Sequence, residues 1–252
     1  MSEFLVFGDS ISFGHELSDC PHEILGTDHS QASNFAWPAY LGAINYSCPG
    51  NSNEKILREV YRFCNKPWKV DMAIVQWSFL ERWDIRNPIS DLIYTIGSWC
   101  QGDLNLMNRK FWPGNSFASN YQEKQLEKFI DIFYKLIYND NYGLLNLLKN
   151  IYACQLYFEA KNIKYYMLLA TENLLLDLFD MPFNKEVDST KFNIIELREY
   201  IDWTKFIFLE KENRPYFSIL DLGKELDDIG DYGHPLEETH TRFANELRRR
   251  IF

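Results

Sequence analysis

Apolar residues in this chain fall into two arrangements. Short uninterrupted runs, "FLVF" (4–7), "MAIVQW" (72–77), "IKYYMLLA" (163–170) and "FSILDL" (217–222), are bounded by polar or turn-forming segments. They predict strands buried on both faces. Between them, "SNEKILREVYRFC" (52–64) sets Ile56, Leu57, Val60, Tyr61 and Cys64 at i, i+3, i+4 spacing. The stretches "YQEKQLEKFIDIFYKLIY" (121–138), "GLLNLLKNIYACQLYFEAKN" (143–162) and "LEETHTRFANELRRRI" (236–251) carry the same helical period. Pro235, just ahead of the last, suits a helix start. Strands alternating with helices predict an α/β fold, a mostly parallel sheet covered by helices on both faces. Ligands of such sheets sit beyond the carboxyl ends of the strands. Ser10, after the first run, and "QWSFLER" (76–82), after the second, both arrive at that edge.

Two stretches break the alternation. Residues 87–120 and 182–215 hold turn signals and weak periodicity, with a helix expected around "KFNIIELREYIDW" in the second. They read as insertions in a single domain spanning 1–252. Nearly half the residues are apolar, enough for one large core.

Charge and length narrow the partners. A net charge of -10 repels polyphosphate, so nucleic acid is not an expected partner. No run of about 18 apolar residues is present, which excludes a membrane-spanning helix. The start "MSEFLVFGDS" has neither a basic segment nor a long apolar one, so a cytoplasmic location is expected. Five cysteines without a C-x-x-C pair predict reduced thiols. Aromatic residues make up 16% of the chain, so most must be core, and an aromatic side chain alone is a poor pointer to a site.

Candidate chemistry begins with Gly8-Asp9-Ser10 at the end of the first strand. A serine on a turn there presents its hydroxyl beside backbone N–H groups that can hold an oxyanion, although these residue types also suit an ordinary turn. The other end of the chain supplies "DYGHP", with Asp231 three positions before His234. A serine nucleophile needs a neutral imidazole to take its proton and a carboxylate to fix the tautomer. Ser10, Asp231 and His234 provide all three in that chain order.

With "FGDSISFG" (7–14), "INYSCPGNSNEKI" (44–56) and "DYGHP" (231–235) in this order, the sequence resembles the GDSL, or SGNH, hydrolases, a superfamily of esterases and lipases. The resemblance implies a flavodoxin-like three-layer α/β/α sandwich and a serine esterase acting on a carboxylic ester, an O-acyl group on carbohydrate being one substrate class. It implies Ser10 as nucleophile, His234 as general base and then acid, and Asp231 as its orienting partner. Backbone N–H groups of Ser10 and Gly50 would form the oxyanion hole, with no metal or organic cofactor. The family's third block, Gly-x-Asn-Asp, is replaced by "QWSFLERWD" (76–84), which has no asparagine. Ser78 is then the candidate third oxyanion donor, and Trp77 and Arg82 are candidate substrate contacts. A lost donor costs about 2.7–4 kcal/mol of transition-state stabilisation. A weak or inactive binding protein on the same fold, or an O-acyltransferase, is therefore the alternative function.

Other residues have competing readings. Trp77 and Trp83 suit either a sugar platform or the core, the core being preferred. Arg82 suits either an anion clamp or a partner for Glu81 or Asp84. The group His15, Asp19, Cys20, His22, Asp28 and His29 matches no metal-ligand spacing and reads as a polar loop. His240 reads as a surface or packing histidine of the last helix, and Glu237 and Glu238 as complements of its dipole.

Overall fold

The computed structural model describes residues 3–20, 31–67, 69–86, 93–97, 120–174, 189–209, 211, 214 and 217–252. Its strands are β1 (Glu3–Phe7), β2 (Ile44–Asn45), β3 (Val70–Trp77), β4 (Trp83–Arg86), β5 (Ile93–Ile96) and β6 (Lys164–Leu169). Four of them form one sheet in the order β2-β1-β3-β6, every pair parallel. The helices are α1 (Ser10–Phe13), α2 (Trp37–Tyr40), α3 (Asn53–Cys64), α4 (Asn120–Ile132), α5 (Asp140–Lys161), α6 (Ser189–Tyr200), α7 (Ile219–Leu226) and α8 (Glu237–Ile251).

Side-chain alternation along the strands divides the interior into two cores. Leu5 and Phe7 of β1, Ala73, Val75 and Trp77 of β3, and Tyr165, Met167 and Leu169 of β6 enter the first. There they meet Ile56 and Val60 of α3, Leu147 and Ile151 of α5, and Ile194 of α6. The intervening residues Val6, Met72, Ile74 and Leu168 enter the second, with Trp37 of α2, Ile219 of α7 and Phe243 and Leu247 of α8. A sheet buried on both faces by helices is the three-layer α/β/α arrangement, and it explains why its strands read as unbroken apolar runs.

Helix ends follow their capping chemistry. Ser52 Oγ accepts from Lys55 N–H at 3.0 Å to start α3, a cap worth about 1 kcal/mol. Asn139 Oδ1 does the same for Tyr142 N–H at 2.9 Å at the head of α5, and Asn162, at φ 53°, closes it in the left-handed region.

The run at 217–222 is not a strand. Phe217 makes one antiparallel bridge to Leu209, and the chain turns helical at Ile219. The Asp221 carboxylate accepts from Ser218 N–H at 3.2 Å and from its hydroxyl at 2.5 Å, so a helix start overrides the apolar run. The place beside β6 goes to Phe206 instead, with Ile207 N–H donating to Met167 C=O at 3.0 Å. Within the first expected insertion, β5 pairs antiparallel with β4, and both pack on Ile130 and Phe133. Residues 87–92, 98–119, 182–188, 210, 212–213 and 215 of the two expected insertions lie outside the described residues.

In the order 2-1-3, β2 and β3 lie on opposite sides of β1, and chain connections leave β1 and β3 in opposite directions. The crevice beyond their carboxyl ends is the binding position such sheets offer. Ser10, Gly50 and Ser78 follow β1, β2 and β3 respectively, and all three come to that edge.

Candidate active site

Directly after β1, Asp9 Oδ1 accepts from Ile11 N–H at 3.0 Å and starts the single turn of α1, which Gly14 closes at φ 83°. Ser10 is the first residue of that turn and is 3% exposed. The chain then bends through His15 and Glu16, the latter at φ 74°. That conformation is uncommon for a residue with a side chain. From the opposite end of the polypeptide, the segment between α7 and α8 brings in His234. Its Nε2 lies 2.9 Å from Ser10 Oγ, and its Nδ1 lies 2.7 Å from Glu16 Oε2. An ionised carboxylate can only accept, so Nδ1 carries the ring proton and Nε2 is left to accept from the serine hydroxyl. The His15 ring stands edge-on to the imidazole, 4.9 Å between centroids.

The carboxylate expected from Asp231 is thus supplied by Glu16. Asp231 is exposed in the turn before His234. Gly233 N–H donates to Gly230 C=O at 2.9 Å and Gly230 N–H to His234 C=O at 2.8 Å, with Gly233 at φ 88°. This tight turn aims backbone N–H groups inward instead: those of Tyr232 and His234 donate to Glu16 Oε1 and Oε2 at 2.9 and 3.1 Å. Gly230 makes the arrangement possible, because a Cβ there would lie 2.6 Å from Glu16 Oε1. Burial pushes the Glu16 carboxyl up. Hydrogen bonds from the His234 ring and from the Tyr232 and His234 N–H groups, with the attraction of the ring itself, outweigh that and bring it down to about 2.

The remaining expected site residues separate. Gly50 sits in the turn after β2 at φ 75°, where a side chain would be strained. Ser78 is at the carboxyl end of β3, but its hydroxyl donates to Asp9 Oδ2 at 2.7 Å and accepts from Arg82 Nη1 at 2.8 Å. Its single proton is committed, so Ser78 is not a free third oxyanion donor. Trp77 is fully buried in the first core, on the same face of β3 as Ala73 and Val75, and does not line the crevice. Arg82 is 9% exposed and pairs with Asp9, Nη1 to Oδ2 at 2.9 Å. Asp84 instead accepts from Ser52 Oγ at 2.6 Å and Thr95 Oγ1 at 2.8 Å and pairs with Arg58.

Trp83 stacks on Tyr142, 4.7 Å between ring centroids, so it too is a packing residue. His240 is fully buried, with Nδ1 accepting from Trp37 N–H at 3.1 Å. Of the polar loop group, Asp19 accepts from Ser33 and from Asn34 N–H, whereas His22, Asp28 and His29 lie outside the described residues. Glu237, at the head of α8, accepts from Ser18 N–H at 2.8 Å.

No family profile and no curated protein matches the sequence. Solved structures similar to the chain along its whole length include two esterase or lipolytic proteins. One is the psychrotrophic esterase EstA from Pseudoalteromonas sp., inhibited by monoethylphosphonate, at 10% identity over 100% of this chain and 97% of that one, with a TM-score of 0.42. The other is a member of the lipolytic protein G-D-S-L family from Veillonella parvula, at 12% identity over 100% of this chain and 98% of that one, with a TM-score of 0.41.

Proposed function

We propose that the protein is a serine ester hydrolase whose nucleophile is Ser10, with His234 as base and Glu16 as the orienting carboxylate. The observation that carries this reading is the continuous line from Glu16 Oε2 through both ring nitrogens of His234 to Ser10 Oγ, at 2.7 and 2.9 Å. A carboxylic ester enters the crevice beyond β1 and β3. Ser10 Oγ attacks the carbonyl carbon as its proton passes to His234 Nε2, and the imidazolium formed is stabilised by Glu16. The oxyanion is held by the backbone N–H groups of Ser10 and Gly50. Ser10 N–H suits this because the first N–H of a helical turn has no acceptor within the helix. His234 returns the proton to the leaving alcohol. A water then gives its proton to His234 and attacks the acyl-enzyme, releasing the acid and restoring Ser10.

With Ser78 engaged by Asp9, the hole has two donors, and turnover is expected to be slow relative to a three-donor site. That same engagement favours the second reading, a binding protein on this fold that has lost turnover. Labelling with a fluorophosphonate separates the two. Covalent modification of Ser10, abolished in Ser10→Ala and in His234→Ala, is expected; a folded wild-type protein that takes no label overturns the hydrolase reading. Incubation with an O-acetylated carbohydrate and a sugar acceptor then tells hydrolysis from transfer by the product.

A further inference from the structure

One guanidinium nitrogen sits where the two oxyanion-bearing loops meet. Arg82 Nη1 donates to Asp9 Oδ2 at 2.9 Å, to Ser78 Oγ at 2.8 Å and to the Asn51 carbonyl at 3.4 Å. Asp9 is the residue before Ser10, and Asn51 is the residue after Gly50. Around this nitrogen, Asn51 Nδ2 donates to Gly8 C=O at 2.8 Å, and Gln76 Nε2 donates to Asp9 Oδ1 at 3.2 Å. The guanidinium also packs over the Phe79 ring, 4.7 Å from its centroid, which fixes its plane. Asp9 is wholly buried, so the charge pair is largely removed from water. Desolvation makes such a pair a poor source of net stability compared with apolar packing of equal volume. What it does supply is geometry: one rigid donor set joins the turn after β1, the turn after β2 and the end of β3.

Resting on the esterase reading above, we propose that Arg82 is a positioning residue that sets the spacing between the Ser10 and Gly50 N–H groups, and so the fit of the two-donor oxyanion hole. It touches neither substrate nor reacting atoms. Because Ser78 is held by Asp9 and the same guanidinium, alignment of the two remaining donors carries more of the transition-state stabilisation than it would in a hole with three. Misplacement of catalytic groups by about 1 Å costs up to roughly 10²-fold in rate.

Arg82→Lys keeps the charge and loses the planar fork. The expected result, per active site titrated with a phosphonate, is a fall in kcat of about 10- to 100-fold on a short-chain aryl ester. KM and the pH at the midpoint of the acid limb should stay at wild-type values, because substrate contacts and the His234–Glu16 pair are untouched. Should Arg82→Lys fail to fold, the neutral double variant Asp9→Asn/Arg82→Gln, which leaves no unpaired buried charge, is expected to show the same kcat loss. Unchanged kcat per titrated site in the folded variant overturns the proposal, as does a change confined to KM, which would make Arg82 a substrate contact. Wild-type protein with neither turnover nor labelling removes the esterase reading and this proposal with it. Wild-type turnover beside an undiminished variant removes the proposal alone.

Discussion

Glu16 and His234, 218 positions apart in the chain, meet with Oε2 2.7 Å from Nδ1. This pairing makes a sharp comparison available. Glu16→Gln keeps the size of the side chain and removes the charge that fixes the ring tautomer, so kcat on an aryl ester is expected to fall by about 10²- to 10⁴-fold. Asp231→Ala, changing an exposed residue of the adjacent turn, should leave kcat within about twofold of wild type, as surface substitutions usually do. Steady-state kinetics of the two variants side by side decides between the carboxylates, and a large loss in Asp231→Ala would defeat the Glu16 assignment.

The same carboxylate makes stability depend on pH at the acid end. Its folded value, brought to about 2, lies below the ordinary 4.5. The unfolded chain therefore binds the proton first as pH falls. The stabilisation from Glu16 is complete above pH 4.5 and is lost progressively as the pH drops through about 2. Urea unfolding at pH 5, 4, 3 and 2 should show the advantage of wild type over Glu16→Gln shrinking across that window. A constant difference would mean that Glu16 is not ionised against His234.

Why Glu16 was not legible in the sequence has a physical answer. Asp231 and His234 fit a pattern of spacing, and spacing says nothing about which way a tight turn directs its side chains. Two glycines and the hydrogen bonds between residues 230 and 234 turn backbone N–H groups, not the Asp231 carboxylate, toward the imidazole. Glu16, for its part, reaches the ring from a left-handed backbone conformation that no apolar period announces. The parallel strands were legible because β1, β3 and β6 are buried on both faces, and α3, α5 and α8 because each keeps a helical period. Trp77 was legible as core, the reading preferred for it, and alternation from Ala73 through Val75 places it in the first of the two cores. At 217–222 the apolar run misled, since the pairing of Ser218 with Asp221 starts a helix there.

Gly230 offers a way to move Glu16 without changing its chemistry. In Gly230→Ala the new Cβ would meet Oε1 at 2.6 Å and the carboxylate carbon at 2.9 Å. Both belong to the far end of a flexible side chain, so the carboxylate is expected to yield rather than the fold. The imidazole would lose part of its alignment, and kcat should fall by about 10-fold, less than in Glu16→Gln, with the melting temperature lowered only slightly. Ser10 should still take a phosphonate, more slowly. Wild-type kcat in Gly230→Ala would show that the distance between Glu16 and His234 does not govern turnover.

His240 bears on stability alone. The ring is buried in the second core between α8 and the chain at Trp37, and Nδ1 accepts the Trp37 N–H, so the neutral form is the one that fits. Burial pushes its titration down to about 4, against the opposing attraction of Asp228 and Glu237. With the folded value below the ordinary 6.5, the unfolded state binds the proton first as pH falls. Stability should therefore decline from about pH 6.5 to about pH 4 and level off in this contribution below that. Each pH unit in that window is worth about 1.4 kcal/mol for one proton. His240→Asn keeps an acceptor for the Trp37 N–H while removing the titration. Unfolding free energies at pH 7 and pH 5 should differ less in this variant than in wild type; equal differences would assign the acid sensitivity to other groups.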